Sequence, residues 1–233
     1  MAGQLRWYVN RASRMSPAET ASRVRDQVRK HAWRTRQVHP GHAAPAVPVT
    51  RPLPFPSTLD PWVPTAVTEA ARVALLKAAD ELLTGRWDVL GVTRLDLDDP
   101  DWFRDPTTGR CAPNDRYAFR IRHRSEAETG NVKQIWEVSR HQHLTVLAAA
   151  WYLTADRRYA DAVDSQLRSW WHENPFLSGV HWTSGIEIGL RLIAWTWIRR
   201  LLDGWDGVHD LFDDNDLAVR QVYWHQEYLA AFR

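Results

Sequence analysis

The chain has 233 residues, enough for one sizeable domain with its own core, or one domain and an arm. Acids and bases nearly cancel at a net charge of +2, so no overall field for nucleic acid is expected, and the single cysteine, Cys111, excludes an intramolecular disulfide framework and a Cys-rich metal site. No apolar run reaches the length of a membrane span and residues 1–10 lack the apolar core of a signal peptide, so the face-value location is the cytoplasm. The aromatic content is skewed, with 14 Trp against 6 Phe, a bias that suits either sugar-stacking surfaces or aromatic helix seams.

Residues 16–36 open on Ser16-Pro17-Ala18-Glu19, an N-cap, a first-turn proline and a capping-box glutamate, which predicts a helix. Its basic residues, Arg23, Arg25, Arg29, Lys30, Arg34 and Arg36, scatter around the helix, as on a solvated basic surface. Residues 39–64 carry eight prolines and are expected to form an extended arm, so that 1–64 is a basic helix with a Pro-rich arm and 65–233 the main domain.

From residue 65 to 83 the positions Val67, Ala71, Ala74, Leu75, Ala78 and Leu82 make a helical face, stopped by Gly85. The stretch 86–130 is irregular, with one short strand expected at 117–122. Asn131, with Gln134 three residues on, opens a helix running to about Leu153 in one piece, with Trp136, Arg140, Leu144, Leu147 and Trp151 on one face. A short joint at 154–156 starts a second helix, 157–173, and forces the pair antiparallel. Ser184-Gly185-Ile186-Glu187 reads as another capping box, opening a helix to about Leu202, and a last helix starts at Leu217. It meets no stop signal before Arg233, so the expectation is a domain cut at its C-terminal end. Paired helices, with roughly 50 residues from Glu137 to Glu187, predict an all-α chain: an incomplete α/α toroid of antiparallel helical hairpins.

The motifs Asp101-Trp102-Phe103-Arg104-Asp105-Pro106, Asn131-Val132-Lys133-Gln134-Ile135-Trp136-Glu137-Val138-Ser139-Arg140, Tyr159-Ala160, Trp171-His172-Glu173-Asn174-Pro175 and Gly179-Val180-His181-Trp182, followed by Glu187 and Arg191, occur in that order. Together they resemble the N-terminal region of the heparinase II/III-like polysaccharide lyases, over about residues 85–205. The resemblance implies a helical toroid that precedes a C-terminal β-sandwich domain, an acidic polysaccharide as substrate, and no cofactor. It also implies β-elimination: a base takes the proton beside a uronate carboxylate, a fixed group neutralises that carboxylate, and the 4-linked oxygen leaves. The family's Asn or Asn-His motif, Tyr and His are expected downstream of the second Glu/Arg helix, so no residue of this chain is assigned a catalytic role. Such enzymes often act outside the cytoplasm, which leaves the location open.

The candidate substrate-binding residues are Trp136, Glu137, Arg140, Trp182, Glu187 and Arg191. Glu187 and Arg191 are one turn apart, and Glu137 and Arg140 three residues apart, so each pair either braces its own helix or meets sugar. Trp182, after a glycine loop, is the leading sugar-stacking candidate against a core role, and Lys133 is expected to be solvated. His141 and His143, two apart on a helix, face different ways and make a poor metal pair, and no HExxH, P-loop or dinucleotide motif stands in context. Two other readings compete: an α/α-toroid glycoside hydrolase using two of Glu137, Asp156 and Glu187, and a non-catalytic helical module that binds sugar or nothing.

Overall fold

The computed structural model describes residues 16–48, 59 and 63–232. The expectations for residues 1–10, for most of the proline-rich arm and for Arg233 lie outside the described residues. Within them the chain is mostly helical, in line with the all-α expectation.

Helix α1 (Pro17–Ala32) starts where the sequence places it, with the Ser16 hydroxyl accepting from the Glu19 N–H at 3.1 Å. It buries no side chain, and a 3-10 turn, Trp33–Arg36, docks it instead. Trp33 packs edge-on against Tyr228 and Phe232 and tilted against Phe176, while the Arg36 guanidinium caps its ring at 4.4 Å. The strap that follows is pinned by its backbone, with the Val38 N–H donating to Phe176 O at 2.9 Å and the Ser178 hydroxyl donating to Val38 O at 2.6 Å.

The helix expected from residue 65 comes as two pieces, α2 (Val63–Ala66) and α3 (Glu69–Leu83), because Thr68 caps the second by accepting from the Ala71 N–H. Gly85, at φ +81°, ends it as predicted. A two-stranded antiparallel hairpin follows, β1 (Trp87–Val89) and β2 (Val92–Arg94), which the irregular sequence pattern does not announce. The strand expected at 117–122 is absent: Tyr117 makes one isolated bridge to Ser178, and Ala118–Arg120 is a 3-10 turn. The Tyr117 hydroxyl donates to Lys30 O at 2.5 Å, a tertiary bond that takes this segment to the end of α1 and away from any sheet.

After the single turn α4 (Glu126–Thr129) come α5 (Val132–Ser139) and α6 (Gln142–Thr154), where the sequence predicts one helix. His141 breaks it, at φ +61° and ψ +23°, a left-handed conformation that costs a non-glycine residue about 1 kcal/mol or more. The offset comes from the core, where the buried imidazole Nδ1 accepts from the Trp195 indole N–H at 2.7 Å. The face shared by Trp136, Arg140, Leu144, Leu147 and Trp151 is therefore split between two helix axes. Helix α6 packs against α3, α7 (Arg157–Glu173) and α8 (Gly185–Leu201), which accounts for apolar residues on all its sides.

Ser139 meets Trp170 and His143 meets Gln166, so contacts advance along α5 and α6 as they recede along α7, the antiparallel arrangement predicted from the short joint. Likewise Gly185 lies against Tyr228 and Leu229, and Arg191 against His225, which pairs α8 antiparallel with α9 (Asp216–Ala231). Asn215 caps α9, accepting from the Leu217 N–H at 3.0 Å, after a wide π turn at His209–Asp213.

Gly130, at φ +67° and ψ −155°, sets the entry to α5. A Cβ there would meet the Asp105 carboxylate oxygen at 2.7 Å and its Cβ at 2.8 Å. Asp105 cannot retreat, since it is fully buried and accepts from the Asn131 N–H at 2.9 Å, the Thr107 N–H at 3.0 Å and the Thr108 hydroxyl at 2.6 Å. Gly130→Ala is expected to destabilise the fold by about 2 kcal/mol, measured as a lower denaturation midpoint.

Candidate functional site

Of the two Glu/Arg pairs read from the sequence, Glu137–Arg140 is made and takes in Glu187 as a third member, while Arg191 stands apart. Arg140, at the C-terminal end of α5, holds Glu187 on α8 in a two-pronged grip, Nε to one oxygen at 2.7 Å and an Nη to the other at 3.0 Å. Its remaining Nη reaches back to both oxygens of Glu137, at 2.5 Å for one of them. The break at His141 leaves Arg140 in this position between α5 and α8. Glu187's hydrogen bonds, joined by the charge of Glu137, push the Arg140 pKa up against the effect of its partial burial. Both carboxylates lie in the protein, with side chains 11% and 4% exposed, and their oxygens are occupied by one guanidinium.

The predicted Glu187–Arg191 ion pair is not made. Glu187 does not cap its helix either, since Ser184 makes no side-chain cap. Arg191 is fully buried: its Nε–H donates to His225 Nε2 at 3.0 Å, an Nη donates to His181 O at 2.7 Å, and the guanidinium lies 4.8 Å from the Trp170 ring centre. His225 donates through Nδ1 to Gln221 O at 2.7 Å, which fixes the tautomer that leaves Nε2 free to accept. Burial lowers the Arg191 pKa, opposed by the charge of Glu187. Arg191 is thus a core residue and has no surface for a sugar.

Trp182 is also in the core. It is fully buried, edge-on to Phe176 at 5.1 Å and 4.5 Å from the His225 ring, with its indole N–H donating to Asn174 O. The expectation of a stacking surface there is overturned because the glycine loop folds inward: Gly179 packs on the backbone of Pro113 and Asn114, and the 3-10 turn Val180–Trp182 is buried throughout. Trp136 is different. Its ring is half-buried, the indole N–H donates to Val180 O at 3.3 Å, and the His123 ring lies 5.5 Å away. Lys133 is exposed, as expected.

Four imidazoles lie buried in the same core. His141, His143, His181 and His225 surround Trp102, Trp170 and Trp195. His143 Nε2 bonds the Gln166 amide oxygen at 2.9 Å, and His181 Nε2 bonds Trp102 O at 2.8 Å. Among the described residues no group of three or more His, Cys, Asp or Glu is arranged to hold a metal ion. Asp156 caps α7, accepting from the Arg158 N–H at 3.0 Å and pairing with its guanidinium at 2.6 Å. It stands beyond the far end of α6 from Arg140, and 13 helical residues span about 20 Å.

Where α1 ends against the 115–120 segment, a groove of about 670 Å³ is lined by His31, Arg34, His39, Arg116, Tyr117 and Arg120, with Asp115 on its wall. Arg34, Arg116 and Arg120 are all exposed. Its two sides are held together by the Tyr117–Lys30 bond and by the Gln37 side-chain amide donating to Asp115 O at 2.9 Å. Of these groups only the scattered charge of the N-terminal helix is visible in sequence; the arginines it meets lie more than 70 residues away.

No protein-family model matches the chain, and no curated protein or solved structure matches it either.

Proposed function

We propose that the chain is the N-terminal, incomplete α/α-toroid part of a heparinase II/III-like polysaccharide lyase, and that it forms one wall of the cleft for a uronate-bearing glycan without supplying the β-elimination groups. The observation that carries the glycan reading is Trp136: a half-buried indole, pinned by Val180 O and flanked by His123, beside the Glu137–Arg140–Glu187 cluster. A ring fixed in this way presents an apolar face to the C–H side of a sugar at little entropic cost. The ordered motifs support the family, and the antiparallel α6/α7 and α8/α9 pairs support the toroid. So does an exposed apolar stripe on α8, Ile186, Ile193 and Trp197, which suits the packing of a further hairpin.

Elimination needs a base, a neutralising group for the uronate and a proton donor, all within reach of the polymer. The four clustered imidazoles, His141, His143, His181 and His225, are buried among tryptophans, so none is assigned such a role. The hydrolase reading fares worse, because Glu137 and Glu187 share Arg140, while Asp156 is separated from Glu137 by more than the spacing of about 5–9.5 Å that paired catalytic carboxylates require.

Titrating the full chain with alginate and heparan sulfate, and with neutral dextran as reference, tests the reading. Binding to an acidic polymer is expected, weakened roughly tenfold in Trp136→Ala, with no ultraviolet absorbance from unsaturated uronate. Equal binding to dextran, or no effect of the Trp136 change, counts against the cleft wall, and unsaturated product from this chain would overturn its non-catalytic part.

A further inference from the structure

We infer that the groove between the end of α1 and the 115–120 segment is a second, anchoring site for the anionic groups of a glycan, built from Arg34, Arg116 and Arg120. It draws its choice of polymer from the lyase reading, yet none of its residues belongs to the Trp136 wall.

Three arginines from two separate segments converge on one concavity with a single acid, Asp115, in its lining. Like charges gathered in this way repel, and a bound anion relieves the repulsion; guanidinium groups also match sulfate and carboxylate with paired N–H donors. Arg116 is engaged by Glu128 at 2.9 Å, but Glu128 has a second partner in Arg122 at 2.8 Å and keeps it when Arg116 turns to a ligand. The floor is firm, since Tyr117 is buried and its hydroxyl is tied to Lys30 O.

The lining favours a glycan over single-stranded DNA. The Tyr117 ring is buried, so it offers no face on which a base could stack, and stacking is a main source of single-strand affinity. Asp115 and Thr35 supply acceptors for hydroxyl donors, which a sugar ring carries and a DNA backbone lacks.

The test measures binding of the full chain to a heparin-derived oligosaccharide, an alginate oligomer, single-stranded DNA of equal charge and inorganic sulfate, at two salt concentrations. The triple change Arg34→Ala, Arg116→Ala, Arg120→Ala is expected to weaken oligosaccharide binding by roughly tenfold or more and to flatten its salt dependence. Its helical circular dichroism and melting point should stay unchanged, because all three side chains are exposed. If the triple variant does not fold, Arg120→Glu alone should reproduce the loss. Unaltered oligosaccharide affinity in these variants overturns the site. So does DNA binding as tight as the oligosaccharide, which would point to a nucleic acid, or sulfate binding alone, which would mark a simple anion site. Because the readout is binding by variants outside the Trp136 wall, loss of the groove is distinguishable from failure of the cleft reading.

Discussion

Arg140→Ala is expected to destabilise the protein by about 4 kcal/mol. The change removes the shared partner of Glu137 and Glu187 and leaves two carboxylates, 11% and 4% exposed, with no cation between them. Breaking a buried ion cluster by deleting one member costs far more than the cluster contributes over an apolar equivalent, because the orphaned charge keeps its desolvation penalty. The triple variant Arg140→Ala, Glu137→Gln, Glu187→Gln should therefore be more stable than Arg140→Ala alone. Urea denaturation near neutral pH measures both, and an unchanged midpoint in Arg140→Ala would mean that the cluster does not brace α5 against α8.

Acid is the second strong perturbation. Burial pushes His143 down to about 4, with its Gln166 bond opposing, and pushes His181 down to about 3, helped by the Arg191 charge. His141 and His225 are lowered well below the usual value, in both cases mainly by burial. In the unfolded chain these imidazoles take up protons near pH 6.5, whereas the folded protein holds them neutral. Below that pH the unfolded state binds more protons, so stability is complete above about 6.5 and falls as the solution is acidified toward the folded values. His143 alone accounts for about 3 kcal/mol across its window. His141, His181 and His225 act in the same direction. The expected result is a steep decline in the urea midpoint from pH 7 to pH 5 and unfolding before pH 4 is reached. A flat profile over that range would show that the cluster is open to solvent or already protonated.

What could be read from the sequence was local. The Ser16 cap, the Gly85 stop, the Asp156–Arg157 start of α7 and the alternation of helix and turn all depend on residues within one turn of each other, and all stand in the structure. The failures share the opposite character. Trp182 has the composition of a binding aromatic and is buried by a loop packing on residues 113–114. Glu187 and Arg191 have ideal helical spacing, but each finds a better partner on another element, Arg140 for one and His225 for the other. The β1–β2 hairpin turns on Leu90 at φ +49° and Gly91 at φ +75°, and leucine is no signal for such a turn. The arginine groove depends on two segments meeting, which no window along the chain contains.

The left-handed residue at His141 divides more than a helix axis. The hydrogen bonds of α5 end at His141, whose N–H donates to Val138 O at 3.1 Å, and those of α6 begin at the same residue, whose carbonyl accepts from the Thr145 N–H at 3.2 Å. Helix α5 is thus a two-turn segment on its own axis, while α6 is enclosed by three helices. Local opening that releases α5 would carry Trp136 with it while α6, enclosed by three helices, stays folded.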